Sequence, residues 1–261
     1  MHPQESPPLT PSVARTGVVG AIPARWGSTR LPGKPLVPIA GRPMIEHVYR
    51  RAAAAPGLER VVVLTDDERV RRAVEAFGGE CELSPADCAS GTDRIAWAAR
   101  RWEARAVVNI QGDEPLVDPG SIGALAAHLA AHPDDAVVTL AVEAEDGDLA
   151  NPHTVKVVLD LQGYALYFSR AAIPHPRQSG GAAPLKHLGV YGYQRAALLA
   201  LARLAPTPLE TSEALEQLRA LENGIRIRVL RAAANSWGVD TAEDAARVER
   251  ILLGTGVVAG T

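Results

Sequence analysis

Residues 21–34, AIPARWGSTRLPGK, carry an apolar strand end straight into a loop that holds Arg25, Arg30 and Lys34 among Gly27, Ser28, Thr29 and Gly33. A strand that opens into a flexible cationic loop is how an α/β protein wraps a polyphosphate. Glycines let the backbone approach the anion, and fixed cations neutralise it. Two familiar phosphate loops do not fit. The G-x-x-x-x-G-K-[ST] pattern needs four residues between its glycines. Gly27 and Gly33 have five between them, and Pro35 stands where the hydroxyl belongs. The G-x-G-x-x-G dinucleotide fingerprint is absent too. Taken alone, the stretch favours an ordinary surface loop with scattered charges. Its place after the first strand, and polar motifs downstream that need such a partner, favour the phosphate reading.

Working outward, Gly17–Ile22 reads as a strand buried on both faces. Pro43–Ala55 carries Met44, Ile45, Val48 and Ala52 at helical spacing and closes on Pro56-Gly57. Arg60–Thr65 is a second strand, and Asp66-Asp67 after it reads as the N-cap of a helix over Glu68–Phe77. A short strand Glu80–Leu83, a helix around Asp93–Trp102, a strand Ala106–Gln111 and a helix from Pro119 to Ala131 follow. This order predicts an α/β fold: a doubly wound, mostly parallel sheet with right-handed crossovers. Beyond it the texture changes. Ala136–Glu143, Val155–Asp160, Tyr164–Ser169 and Leu188–Tyr193 read as strands with mostly turns between them, a β-rich part packed on the sheet. Helices at Gln194–Leu204 and Pro208–Asn223, a strand Arg226–Leu230 and a helix from Thr241 complete the chain. The expectation is one α/β domain over 17–261 with a β-rich part at about 136–232. Residues 1–16, with four prolines in their first eleven positions, read as a disordered extension.

Composition narrows the function. The 261 residues suffice for a large core, 47% apolar but only 4% aromatic, so it is aliphatic. No apolar run approaches the ~18 residues of a membrane span, and 1–16 lack the apolar stretch of a secretory signal. The formal net charge of −3, with signs interspersed, argues against a nucleic-acid face. Cys81 and Cys88 are too few for a disulfide framework or a zinc site and read as reduced cytoplasmic thiols.

Ligands of open parallel sheets bind beyond the carboxyl ends of the strands. Three charged groups fall there: the Arg25–Lys34 loop, Asp66-Asp67 and Asp113-Glu114. A carboxylate held at Asp113 suits Mg²⁺, which prefers one or two carboxylates plus substrate phosphates. Capping the next helix is the competing reading for Asp113 or Glu114. Asp240, just before a helix, is by default an N-cap; as a second carboxylate from a distant segment it would instead complete a metal clamp on a phosphoryl group. Ser90-Gly91-Thr92-Asp93-Arg94 opens a helix and is, taken alone, a capping turn, though its backbone groups and hydroxyls could read a base. Glu213 and Glu216, expected on one helix face at i,i+3 with Gln217 beside them, suit a polyol or plain solvent. His128 and His132 before Pro133 read as a solvated helix end. No GxSxG, CxxC or HExxH is present, so hydrolytic, redox and zinc-protease chemistry have no support.

In their order, IPARWGSTRLPGKPL, SGTDR, NIQGDEP, NPHTVKVVLD, GYALYFSRAAIP, KHLGVYGY, PLETSEALEQLR and GVDT resemble the nucleotide-sugar cytidylyltransferases. The first three belong to that family broadly; the later ones are similar to its members acting on 3-deoxy-D-manno-octulosonate (Kdo). The resemblance runs from Gly17 to the final helix. It implies a nucleotidyltransferase-A type fold, a homodimer through the β-rich half, and cytoplasmic, Mg²⁺-dependent transfer of CMP from CTP to Kdo for lipopolysaccharide biosynthesis. By motif, Ala24, Arg25 and Lys34 would meet CTP, Ser90, Gly91 and Arg94 would read cytosine, and Gln111 would lie close to the nucleotide. Asp113 and Asp240 would hold Mg²⁺, while Arg170, His187, Tyr191, Glu216 and Gln217 would bind the acid sugar. Catalysis would rest on Arg25, Lys34, Asp113 and Asp240. Departures fall in Gln178–Pro184 and in Ala234-Asn235-Ser236-Trp237, both near the implied acceptor site. The rivals are another 2-keto acid sugar or phosphonate acceptor, a non-catalytic nucleotide-sugar binder, and a plain α/β interaction domain.

Overall fold

The computed structural model describes residues 17–27, 31–177 and 181–254. The expected extension 1–16, Ser28, Thr29 and Arg30 of the cationic loop, and the start of the 178–184 departure lie outside the described residues. Along the chain run β1 (Val18–Pro23), a 3-10 turn (Lys34–Leu36), the small hairpin β2 (Pro38–Ile39) and β3 (Arg42–Pro43), then α1 (Met44–Ala53), β4 (Leu58–Thr65), α2 (Glu68–Ala76), β5 (Glu80–Leu83), α3 (Gly91–Ala99), β6 (Ala106–Asn109) and α4 (Pro119–Ala131). The second half contains β7 (Val137–Glu143), β8 (Lys156–Leu159), β9 (Ala165–Ser169), β10 (Leu185–Gln194), α5 (Arg195–Leu201), α6 (Pro208–Glu213), α7 (Gln217–Glu222), β11 (Ile227–Arg231) and α8 (Ala242–Leu252).

The central sheet runs β11-β7-β10-β6-β1-β4-β5, with the β8–β9 hairpin branching from β10. Strands β6, β1, β4 and β5 are parallel neighbours, as βα repeats require. Alternate residues of the central strands divide between two cores. Val19, Ala21, Val62, Leu64 and Val107 pack with Ile95 of α3, Leu198 of α5 and Leu218 of α7. Val18, Ile22, Val61, Val63 and Val108 pack with Val48 of α1, Val74 of α2 and Leu125 of α4. Burial on both faces is why these strands read as continuous apolar runs; each fully buried Ile, Val or Leu contributes roughly 1.5–3 kcal/mol.

The β-rich part differs from its expected placement. It is not a layer on the sheet: β7, β10 and β11 extend the sheet itself. β10 enters antiparallel between β6 and β7, so its Leu185–Val190 part lies beyond the carboxyl end of β6, with Tyr191 paired to Asn109 at that end. The helix expected over Pro208–Asn223 is also two helices. Ala214 adopts φ 51°, the left-handed position that commonly ends a helix, and the Leu215 amide donates back to the Glu210 carbonyl at 3.2 Å. The break turns Leu215 and Leu218 into the core.

Candidate active site

Residues 22–27 and 31–34 are shaped by packing around Trp26. Its amide donates to Asp66 Oδ1 at 3.3 Å, and the Arg69 guanidinium lies 3.5 Å from the ring centroid. Gly33, at φ 68°, leaves so little room that a Cβ there would stand 2.7 Å from the indole. The turn Gly112-Asp113 lies as tightly against β1: a Cβ on Gly112 would meet the Pro23 carbonyl oxygen at 2.7 Å. Small residues thus bring the cationic loop and the Asp113 turn together.

A cavity of about 460 Å³ opens at this junction, lined by Ala24, Arg25, Lys34, Ser90, Gly91, Arg94, Gln111, Asp113 and Asp240 among others. Every residue expected to meet the nucleotide or to catalyse therefore borders one space. Lys34 Nζ donates to Asp113 Oδ2 at 2.6 Å and to Asp240 Oδ1 at 2.9 Å. Burial works to lower the pKa of this ammonium; the two carboxylates outweigh it and hold the group above its ordinary value. The Val239 amide donates to the Asp113 carbonyl at 2.8 Å, which fixes the two acidic segments side by side. Neither carboxylate caps a helix. Asp118 caps α4, and Thr241 caps α8 in a capping box with Asp244. The default reading of Asp240 is thereby corrected, because Thr241, one residue later, has the extended backbone a cap needs.

Ser90 does cap α3, accepting from the Asp93 amide, and so stands at the helix N-terminus that borders the cavity. Arg94 is almost wholly buried, and its guanidinium is committed to Ser84 and to Asp66 Oδ2 at 2.9 Å. It holds the cavity wall. Arg25 is exposed. Gln111 Nε2 donates to the Gly189 carbonyl at 2.9 Å.

A second cavity of about 890 Å³ adjoins the first and shares Gln111 and Asp240 with it. Arg170, His187, Tyr191, Glu216 and Gln217 all line it, so the residues expected to hold the sugar also meet in one place. Glu213 does not join them, correcting the shared helix face. It ends α6 and accepts from Ser169 Oγ at 2.6 Å and the Arg170 amide at 2.9 Å. Glu216 lies past the break, where burial raises its pKa and Ser90 Oγ approaches it at 3.3 Å. Arg170 donates from Nε to the Glu213 carbonyl at 2.8 Å and from Nη1 to the Pro152 carbonyl at 3.1 Å. Burial pushes the His187 imidazole down to about 3, leaving it neutral. Tyr191 Oη is buried beside the Thr139 hydroxyl, and burial holds its pKa well above the ordinary value.

Sequence reasoning missed three contributors. The fully buried Lys156 donates to the carbonyls of Asn151, Thr154 and Arg170 at 3.0, 2.7 and 2.6 Å, tying the 151–155 wall to the end of β9. Glu114, read only as part of the strand-end Asp113-Glu114 pair or as a cap, borders the larger cavity; burial pushes its carboxyl up to about 7. Ser236, in the departing 234–237 stretch, donates to Glu114 Oε2 at 2.6 Å. A lysine inside an otherwise apolar strand was the one available signal for the first; nothing local marks the other two.

The chemical inventory is a cationic loop facing two convergent carboxylates, with a polar cavity next to them. No group of three or more His, Cys, Asp or Glu side chains suited to a metal occurs among the described residues. Asp113 and Asp240 fit an ion that takes its remaining oxygens from a phosphate, since their oxygens already converge on one cationic point.

The sequence profile of the family described as cytidylyltransferase matches residues 19–227. The chain belongs to that family. The 3-deoxy-manno-octulosonate cytidylyltransferase of Myxococcus xanthus (strain DK1622) is 50% identical over 245 residues, covering 91% of this chain and 97% of the relative. The 8-amino-3,8-dideoxy-manno-octulosonate cytidylyltransferase of Shewanella halifaxensis (strain HAW-EB4) is also 50% identical, over 85% of this chain and 93% of its own length. A solved structure described as CMP:2-keto-3-deoxy-manno-octonic acid synthetase complexed with CTP superposes with a TM-score of 0.88 at 43% identity, covering 91% of this chain and 99% of that one. No helix among the described residues is long and apolar enough to cross a membrane.

Proposed function

We propose that this cytidylyltransferase transfers CMP from CTP to the anomeric hydroxyl of Kdo, releasing pyrophosphate. The observation that carries the reading is the adjacency of the two cavities across Gln111 and Asp240. A nucleotide in the smaller one would place its α-phosphorus beside a sugar in the larger one. Arg25 and Lys34 would bind the phosphates and neutralise the charge that develops on the departing pyrophosphate. The Ser90-Gly91 turn would hold the base against β1, with Arg94 fixing that wall. Arg170, His187, Tyr191, Glu216 and Gln217 would orient the sugar so that its hydroxyl meets phosphorus in line, which supplies much of the rate through positioning. Asp113 and Asp240 would hold Mg²⁺, which supplies phosphate charge neutralisation and lowers the pKa of a nearby hydroxyl. The chemistry then needs no His–carboxylate base.

The decisive measurement is pyrophosphate release with Mg²⁺ and each of CTP, ATP, GTP and UTP, against a panel of acid sugars. CTP with Kdo should be turned over far faster than any other pair. Equal turnover with the other nucleotides would sink the cytosine assignment of the Ser90-Gly91 turn and of the wall that Arg94 fixes. The panel includes the 8-amino-3,8-dideoxy sugar because one relative of 50% identity carries that name; turnover with it alone would replace Kdo as the acceptor.

The reading includes a cytoplasmic homodimer built through residues 136–232. Leu161, in the β8–β9 turn, and Leu166, on β9, are large apolar side chains left exposed there. Sedimentation at micromolar concentration should give a dimer, and Leu166→Arg should weaken it. A wild-type monomer refutes this part.

A further inference from the structure

The register between β7 and β10 shifts between Leu188 and Tyr191, so that the intervening residues bulge out of the ladder. Side chains on both sides serve the bulge carbonyls. Gln111 Nε2 donates to the Gly189 carbonyl at 2.9 Å. The Thr139 hydroxyl, fully buried on β7, lies 2.9 Å from the Val190 carbonyl and 3.3 Å from that of Leu188. The same oxygen is 3.0 Å from His187 Nε2.

Two carbonyls and an imidazole nitrogen therefore surround one hydroxyl that has a single proton, with the Tyr191 hydroxyl, itself able to donate, beside it. The two carbonyls can only accept, whereas a neutral imidazole nitrogen can donate or accept. If the hydroxyl donated to Nε2, both carbonyls would face its lone pairs inside the core. The arrangement that serves both the carbonyls and the ring has the hydroxyl donate to the bulge, its proton shared between the two carbonyls, and Nε2–H donate to the hydroxyl. Nδ1 then carries a lone pair, and no hydrogen bond engages it among the described residues. The ring is held edge-on to Phe168 at 5.0 Å and lies 5.3 Å from Tyr191. It lines the larger cavity.

We propose that Thr139 is a positioning residue of the sugar site: its hydroxyl, spent on the β10 bulge, fixes His187 as the Nε2–H tautomer and presents Nδ1 as a hydrogen-bond acceptor. The second half of this statement rests on the larger cavity being the acceptor site. His187 then selects a hydrogen-bond donor on the ligand, a hydroxyl of the polyol chain, and cannot read its carboxylate. The carboxylate falls to a donor elsewhere on the same wall, the Lys186 ammonium.

Long-range ¹H–¹⁵N spectra of the full-length protein labelled at histidine test this, with His187→Gln supplying the assignment. Wild type should show a protonated Nε2 and a lone-pair Nδ1, unchanged between about pH 6 and 8. Thr139→Val keeps the side-chain shape and removes the oxygen. It should mix the two tautomers and raise KM for the acid sugar about tenfold, the scale of one lost hydrogen bond. KM for CTP and kcat should stay within about twofold, and Thr139→Ser should restore both the spectrum and KM. A wild-type Nδ1–H pattern overturns the proposal even if no variant folds. So does Thr139→Val with unchanged tautomer and KM. An Nε2–H wild type that turns over no acid sugar supports the tautomer and refutes the acceptor reading.

Discussion

Asp113→Asn and Asp240→Asn should each lower kcat by at least ~10²-fold, the range seen when one preorganised electrostatic group is removed. Melting temperature should hardly move. Both carboxylates come from segments far apart in the chain, and their oxygens lie 2.6 and 2.9 Å from one ammonium. Such convergence costs like-charge repulsion, which Lys34 offsets in the structure described. With side-chain exposures of 38% and 46%, the pairs contribute little to stability. The caps that a stability role would require are supplied by Asp118 and Thr241. Loss of a cap would instead cost about 1 kcal/mol with turnover retained. Activity and melting measured on the same samples separate the outcomes, and a variant that melts early but turns over normally has no metal role.

Most strands of the fold, and the meeting of the site residues, were legible because they depend on local signals. Runs such as Val61–Leu64 are apolar on both faces and bounded by turn residues, which suffices to read a parallel strand. The cationic loop sits at a strand end, where any doubly wound sheet binds its ligand. What escaped the sequence is what tertiary packing decides. Ala214 ends α6 in a conformation usually given to glycine, so the 208–223 stretch shows no stop signal, and Glu213 seemed to share a face with Glu216. The antiparallel entry of β10 between β6 and β7 depends on pairing partners distant in sequence, and the polar Lys186-His187 start of that strand hides it. The role of Thr139 depends on a bulge in the neighbouring strand, which no property of Thr139 itself announces.

The sugar and nucleotide halves of the site should separate on titration, with one residue joining them. Gln217→Ala should weaken Kdo binding about tenfold and leave CTP unchanged, since a polar partner of the sugar is lost on the order of 1–3 kcal/mol. Arg25→Ala and Lys34→Ala should do the reverse, because both border only the smaller cavity. Glu216 differs. It lines the larger cavity, yet Ser90 Oγ, at the nucleotide-side helix cap, lies 3.3 Å from its Oε1. Glu216→Ala should therefore weaken Kdo about tenfold and CTP a few-fold. Ser90→Ala should reproduce the CTP effect, and the double variant should show no further loss for CTP, because contacting residues are not additive. Calorimetry with each ligand alone, without turnover, reads all of these. Should Glu216→Ala weaken CTP and leave Kdo untouched, the larger cavity is not the acceptor site. Fully additive effects of Ser90→Ala and Glu216→Ala on CTP would mean that the hydrogen bond between them does not join the two halves.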